Sequence, residues 1–243
     1  MAKTISPDSS ASSPPKDCRF RAVFFDFGGV VLTSPFQAFE RYERENGLPV
    51  GLVRMINSTN PHNNAWAKME RGEVGIDGFV KLFAAEAAAL GHQVDGYAII
   101  DMLAGKVRPP MVEAIRRIKA AGLLTACLTN NFNDQGHANE DQPSFRRAGS
   151  RTEAEAAEVK EVLSMFDHMV ESSVVGVRKP EPEFYLKALA LAQVDPTDTI
   201  FLDDLGINLK PARAMGMTTI KVVDPTVALA ELQELIAVPL IDT

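Results

Sequence analysis

Ala22-Val23-Phe24-Phe25-Asp26-Phe27-Gly28-Gly29-Val30-Val31 joins an apolar, strand-forming run to a single carboxylate and then to two glycines. A strand that hands an aspartate to a glycine-rich turn places a nucleophile or metal ligand at the carboxyl edge of a sheet. In open α/β sheets that edge carries the chemistry. The same residues also describe a strand that simply ends in a turn-favouring Asp-x-Gly-Gly. The rest of the chain decides between the two.

Residues 36–105 read as helical throughout. Amphipathic stretches run over 36–46, 50–56, 64–70, 75–90 and 97–104, and Gly47, Gly91 and Gly105 stand behind three of them as stop signals. Beyond them strands and helices alternate. Pro109-Pro110 opens a helix through Ala121, and 123–128 is a strand. A polar loop covers 131–151, and the capping box Thr152-x-x-Glu155 starts a helix to Phe166. Strands at 167–172, 199–202 and 218–223 then alternate with helices at 181–192, 208–215 and 227–236. This order predicts a doubly wound, Rossmann-like parallel α/β sheet. The catalytic core comprises 19–34 and 106–243, an inserted α-helical cap covers 35–105, and the Ser- and Pro-rich residues 1–18 form a disordered tail.

Composition narrows the function. The 243 residues are 46% hydrophobic and 23% charged, which suits a globular protein with a substantial core. A net charge of -7 argues against nucleic-acid binding. Two cysteines, Cys18 and Cys127, exclude a disulfide framework and a Cys-based metal cage. Cys127 lies in an apolar run and reads as an inert buried thiol. No signal peptide is visible, and no apolar stretch approaches the ~20 residues that span a bilayer. A cytoplasmic protein with no membrane partner is expected, and Asn57-Ser58-Thr59 is read as a chance glycosylation sequon. Oligomeric state leaves no mark on the sequence.

Four predicted strand ends offer polar residues to one edge: Asp26; Thr129-Asn130-Asn131; Arg178-Lys179-Pro180; and Asp203-Asp204. Singly, each has a bland reading. Lys179 is a solvated loop lysine, Thr129-Asn130 caps a strand, and Asp203-Asp204 forms a turn. Two adjacent acids behind Ile200-Phe201-Leu202 nevertheless repel one another unless a cation sits there. Together the four sets supply an aspartate nucleophile, hydrogen-bond donors, a fixed ammonium and paired carboxylates. Phosphoryl transfer needs such a set.

These segments carry a family resemblance. Phe25-Asp26-Phe27-Gly28-Gly29-Val30, Leu128-Thr129-Asn130-Asn131-Phe132, the stretch 171–182 with Arg178-Lys179-Pro180, and 201–213 with Asp203-Asp204 resemble the motifs of the haloacid dehalogenase-like hydrolase superfamily. The helical insertion after the first motif is similar to its cap-bearing subfamily. Within that subfamily the chain looks like the phosphatase domain at the N-terminus of soluble epoxide hydrolases and the phosphatase-like module of some acyl-CoA dehydrogenases. The resemblance implies a phosphatase acting on a small organic phosphate. Asp26 would form an aspartyl-phosphate, and Mg²⁺ would be held by Asp26, the Gly28 carbonyl and Asp204. Thr129 and Asn130 would donate to the phosphoryl oxygens. Lys179 would neutralise nucleophile and phosphoryl group, oriented by Asp203, with Asn208 supporting the acidic loop.

One position departs from the family. Active phosphatases usually carry a second aspartate two residues after the nucleophile as general acid and base, and here Gly28 occupies it. General acid–base catalysis is typically worth ~10² to 10⁴ in rate. A catalytically weak phosphate-binding or regulatory module is therefore the alternative to a phosphatase. A 2-haloacid dehalogenase stands further off, because that branch carries Tyr at the Gly28 position and lacks the acidic pair. The cap offers His62, Asn64, Trp66, Glu70 and Arg71 as substrate contacts, with Trp66 and Met69 also suited to a cap core. The cluster Arg146, Arg147 and Arg151 reads as a solvated loop able to attract anions.

Overall fold

The structure is a computed structural model that describes residues 18–132 and 151–241. The tail expected at the N-terminus lies almost wholly outside the described residues, as does most of the 131–151 loop with Arg146 and Arg147.

Five parallel strands form one sheet: β1 (Ala22–Phe25), β2 (Leu124–Thr129), β3 (His168–Glu171), β4 (Thr199–Asp203) and β5 (Thr218–Lys221), in the spatial order β3-β2-β1-β4-β5. The chain winds outward from β1 through β2 to β3, then returns to the other side of β1 for β4 and β5. The reversal opens a crevice beyond the carboxyl ends of β1 and β4, the place where doubly wound sheets bind ligands. Phe25 stands level with Cys127 on one side and Leu202 on the other, so Asp26 leaves the centre of the sheet.

Both faces of the sheet are covered, which explains the unbroken apolar character of β1. Val23 and Phe25 point to the face packed by α6 (Pro109–Ala120), α7 (Glu153–Ser164) and α11 (Pro225–Ile236). Ala22 and Phe24 point to the face packed by α9 (Pro182–Ala192) and α10 (Gly206–Ala214). The expected capping box at Thr152 and Glu155 is present, and Cys127 is buried.

Several boundaries moved for local reasons. The strand expected over 167–172 stops at Glu171, and Ser172–Val175 turns as a short helix, α8. The helix expected from Asn208 starts at Gly206, and that expected from Val227 starts at Pro225, where the Asp224 side chain accepts from Thr226 N and Val227 N. Asn131 and Phe132, read as the start of a polar loop, are buried. Asn131 is tied down by its backbone N–H donating to Ser172 Oγ, by its side-chain Nδ2 donating to Glu171 Oε1, and by its side-chain Oδ1 accepting from Ser173 Oγ.

Between β1 and α6 lie α1 (Phe36–Glu45), α2 (Leu52–Ser58), α3 (Ala65–Glu70), α4 (Ile76–Ala89) and α5 (Gly96–Asp101). They share their own apolar cluster, centred on Phe39, Ile56, Trp66, Phe79, Phe83 and Ile99. The chain enters and leaves this insert side by side. Leu32 bridges Val107 in antiparallel fashion, Thr33 N donates to Lys106 O, and Arg108 Nε donates to Leu32 O.

The insert also buries one carboxylate completely. Glu43, 1% exposed, accepts from Gly51 N at 2.6 Å and Val53 N at 2.8 Å, and so satisfies the otherwise unbonded N-terminus of α2. Glu43→Ala would leave both donors without that partner. The expected loss of stability is about 2 kcal/mol or more, read from denaturant midpoints.

Candidate active site

The site is built on one buried ammonium. Lys179 follows a short loop after α8, and its side chain is 1% exposed. Its Nζ donates to Asp26 Oδ1 at 2.7 Å, Asp203 Oδ2 at 2.8 Å and Leu128 O at 2.8 Å, which uses all three of its hydrogens. The solvated-lysine reading of this residue is excluded. Burial alone would lower the Lys179 pKa, but Asp203 and Asp26 outweigh it and the ammonium is held well above its ordinary value. The two carboxylates come from adjacent strands, so the register of β1 against β4 sets the width of the clamp.

Asp203 is fully engaged. It accepts from Lys179, from Leu205 N at 2.8 Å, and from Asn208 Nδ2 at 3.0 and 3.1 Å on its two oxygens. Asn208 is itself fixed, because Tyr185 OH donates to its carbonyl at 2.7 Å. Asp203 therefore orients Lys179, and Asn208 secures the acidic loop.

Asp26 Oδ1 accepts from Lys179 and from Phe27 N at 2.7 Å, leaving Oδ2 without a hydrogen bond among the described residues. Burial raises the Asp26 pKa well above the usual carboxylate range. Lys179 works against that shift, whereas Asp203 and Asp204 add to it. The Asp204 carboxyl is pushed up to about 6, by burial first and by Asp203 second.

Oxygens of Asp26, Asp203 and Asp204 lie within 4.8 Å of one another. When all three ionise, three negative charges face the Lys179 ammonium, with Arg108 acting more weakly on Asp204. The surplus and the all-oxygen donor set fit a hard divalent cation.

The turn after Asp26 shows why one glycine is required and its neighbour is not. Gly29 has φ of +83°, and a Cβ on it would stand 2.2 Å from Asp204 Oδ2. Gly28 has φ of −73° and ψ of 126°, ordinary extended backbone, and a Cβ there would meet nothing within 4 Å.

Thr129 ends β2, is buried, and its hydroxyl has no hydrogen-bond partner among the described residues. The Asn130 side chain is committed within the protein, which leaves its backbone N–H for the phosphoryl-donor role expected of this residue. Its side-chain Oδ1 accepts from Lys179 N at 2.8 Å and its Nδ2 donates to Lys179 O at 2.9 Å. The amide clamps the backbone of the lysine.

These groups open onto a cavity of about 430 Å³ beneath the insert. Of the cap residues expected there, His62, Trp66 and Glu70 line it. Asn64 is instead buried as the cap of α3, accepting from Ala67 N, and Arg71 pairs with Glu73 and Glu181. Arg151, expected on a solvated loop, is partly buried in the cavity wall and donates to Gly105 O. Sequence reasoning missed Arg54, stacked over the Phe36 ring, and gave no role to Arg178.

Comparison with known proteins fixes the relationship. The model of haloacid dehalogenase-like hydrolases matches residues 20–216. The chain belongs to the haloacid dehalogenase-like hydrolase family. Over 226 residues it is 34% identical to acyl-CoA dehydrogenase family member 10 of Mus musculus, covering 91% of this chain and 20% of that protein. Over 234 residues it is 30% identical to bifunctional epoxide hydrolase 2 of Sus scrofa, covering 92% of this chain and 40% of that protein. It thus spans less than half the length of either. The sesquiterpene phosphatase astK of Aspergillus oryzae is 26% identical over 220 residues, covering 89% of this chain and 97% of that one. Among solved structures, a dehalogenase with intermediate complex superposes with a TM-score of 0.61 at 19% identity, covering 90% and 98% of the two chains. The enzyme bt-2542 of Bacteroides thetaiotaomicron, complexed with magnesium and inorganic phosphate, gives 0.51 at 18% identity, covering 83% and 93%. At these identities the two structures speak for the fold alone. Among the described residues no helix is long and apolar enough to cross a membrane.

The turn geometry gives a direct test. Gly29→Ala combines a left-handed backbone with the collision at Asp204, and its expected cost is about 1–3 kcal/mol or more. Gly28→Ala should change stability by no more than about 1 kcal/mol. Thermal and denaturant unfolding of the two variants checks the contrast.

Proposed function

We propose that this hydrolase is a Mg²⁺-dependent phosphatase of small organic phosphate monoesters. The observation that carries the reading is the Asp26–Lys179–Asp203 clamp, with Asp204 beside it, at the carboxyl edge of the sheet. A dianionic substrate approaching Asp26 needs positive charge, and the site's own carboxylates outnumber its ammonium. A divalent cation held by Asp26, the Gly28 carbonyl and Asp204 would cancel that surplus and stabilise charge on the phosphoryl oxygens. The same surplus of carboxylate argues against a 2-haloacid dehalogenase, which works on an organic halide with no cation.

Within this reading the chain's residues divide the work. The Asp26 carboxylate attacks phosphorus as the ester P–O bond breaks, giving an aspartyl-phosphate and an alkoxide. Lys179 lies against the nucleophile and offsets charge on the transferring group. The Thr129 hydroxyl and the Asn130 backbone N–H are the donors for phosphoryl oxygens, since the Asn130 side chain is already committed. Water then attacks phosphorus, the aspartyl P–O bond breaks, and inorganic phosphate leaves with the Asp26 carboxylate restored. The leaving alkoxide takes its proton from water, because Gly28 carries no acid.

The cavity describes the rest of the substrate. Leu32, Phe36, Phe39, Trp66, Leu103 and Phe132 line it. An apolar organic group on the phosphate fits such walls. The coverage of the sesquiterpene phosphatase along nearly its whole length supports the same class.

Purified protein should release p-nitrophenol from p-nitrophenyl phosphate with Mg²⁺ and lose that activity with EDTA. Asp26→Asn should abolish turnover, because an amide is a poor nucleophile. Activity that survives in Asp26→Asn removes the mechanism, and activity that survives EDTA removes the cation. A parent with no turnover at all favours the phosphate-binding module that Gly28 suggests.

The missing acid predicts a steep dependence on the leaving group. kcat/KM should climb as the phenol's pKa falls across substituted phenyl phosphates, with a simple alkyl phosphate slowest. Gly28→Asp, which the backbone accommodates, should flatten that slope. A parent that cleaves alkyl and nitrophenyl esters equally fast has another proton donor.

A further inference from the structure

The cap touches the catalytic lysine's own clamp. Glu70, the last residue of α3, places Oε2 3.2 Å from Asn130 Nδ2, the amide nitrogen that also donates to the Lys179 carbonyl. The two amide hydrogens of Asn130 are thereby divided between the lysine backbone and the cap. Glu70 Oε2 also accepts from Arg178 Nε at 2.5 Å, and Arg178 Nη1 donates to Pro61 O of the cap. The next cap residue makes the reverse pairing. Arg71 Nη1 meets Glu181 Oε1 of the core at 3.1 Å, and Glu181 Oε2 accepts from Arg178 N. An acid and a base in succession on the cap thus face a base and an acid on the core.

These contacts are sheltered. The side chains of Glu70 and Arg178 are 15% and 12% exposed. A partly desolvated, hydrogen-bonded pair is more sensitive to loss of one partner than an exposed one. The pair also lies on the wall of the cavity, where an unneutralised Glu70 would repel an anionic substrate.

We propose that Glu70 is a positioning residue that makes the seating of Lys179 depend on closure of the cap. With the cap down, Glu70 holds the Asn130 amide plane in the orientation that clamps Lys179 N and O. With the cap raised, Asn130 loses its third partner and the lysine loop loses Arg178's anchor. The Arg71–Glu181 pair only fastens the cap, for it does not touch Asn130. This rests on the phosphatase reading for its kinetic consequence, but not for its structural one.

Trp66 supplies an independent reporter. It is the chain's single tryptophan, sits one turn before Glu70 and is 6% exposed. The parent, Glu70→Ala, Glu70→Gln and Arg71→Ala are compared by kcat and KM on p-nitrophenyl phosphate, by acrylamide quenching of Trp66, and by affinity for inorganic phosphate. Glu70→Ala and Arg71→Ala should both increase quenching. Only Glu70→Ala should lower kcat a further tenfold or more, with a smaller change in KM. Glu70→Gln, whose amide oxygen still accepts from Asn130, should recover most of that loss. Equal kcat in Glu70→Ala and Arg71→Ala reduces Glu70 to a fastener and overturns the proposal, as does unchanged quenching in both. Should Glu70→Ala not fold, Glu70→Asp withdraws the carboxylate by one methylene and gives the same comparison. A parent that turns over no phosphate ester defeats the phosphatase reading. The proposal then stands only if Glu70→Ala weakens phosphate binding at least tenfold more than Arg71→Ala, and falls if the two weaken it equally.

Discussion

The buried ammonium of Lys179 organises the rest of the molecule. An ammonium at 1% exposure is costly to desolvate, and the cost is offset only by well-placed counter-charges. Asp26 and Asp203 supply them from neighbouring parallel strands, and Leu128 O supplies the third acceptor from a strand on the other side of β1. Three strand ends must therefore arrive in register for one side chain to be satisfied. The apolar sandwich around β1 holds that register, and the Asn208–Tyr185 contacts keep Asp203 from turning away.

Such a clamp is a poor stabiliser of the fold and a good fixture for chemistry. An apolar residue in place of the lysine would ask less of its surroundings. Under the proposed reaction, what the ion pair contributes is a charge fixed before the substrate arrives, in a site that need not reorganise as charge moves. The neighbouring Asp204, unbound by the clamp, is left as the group through which the surplus charge can be met.

Much of this was legible in the sequence. The alternation of apolar strands with helices gave the sheet, and the apolar runs before Asp26, Thr129 and Asp203 marked where polar groups reach its carboxyl edge, whereas Lys179 arrives from beyond α8 rather than from a strand end. The unbroken run at 22–25 told both of burial on two faces and of the place where Asp26 would emerge. What stayed hidden depends on partners distant along the chain. Asn131 and Phe132 look like loop residues until Ser172, Ser173 and Glu171 are seen beside them. Glu43 looks like one more surface acid in an amphipathic helix, and only the geometry of 51–53 draws it inward. Asn64 heads a helical stretch and is a capping residue type, but Arg71 stands among the cap's polar residues with nothing local to separate it from His62 and Glu70. Their roles are decided by which way the short helix α3 faces.

The paired backbone at Leu32 and Val107 has a wider consequence. Because the insert departs and returns through neighbouring residues, the sheet meets it as it would meet a short turn. The entropy of closing a loop grows only slowly with its length, so many residues can be hung from such a doorway at little cost to the core. The sheet edge that carries Asp26 and the helical insert above it are then separable inheritances. One can be exchanged or lengthened while the other stays as it is, and the doorway, with Arg108 bracing its frame, is the part that both must share.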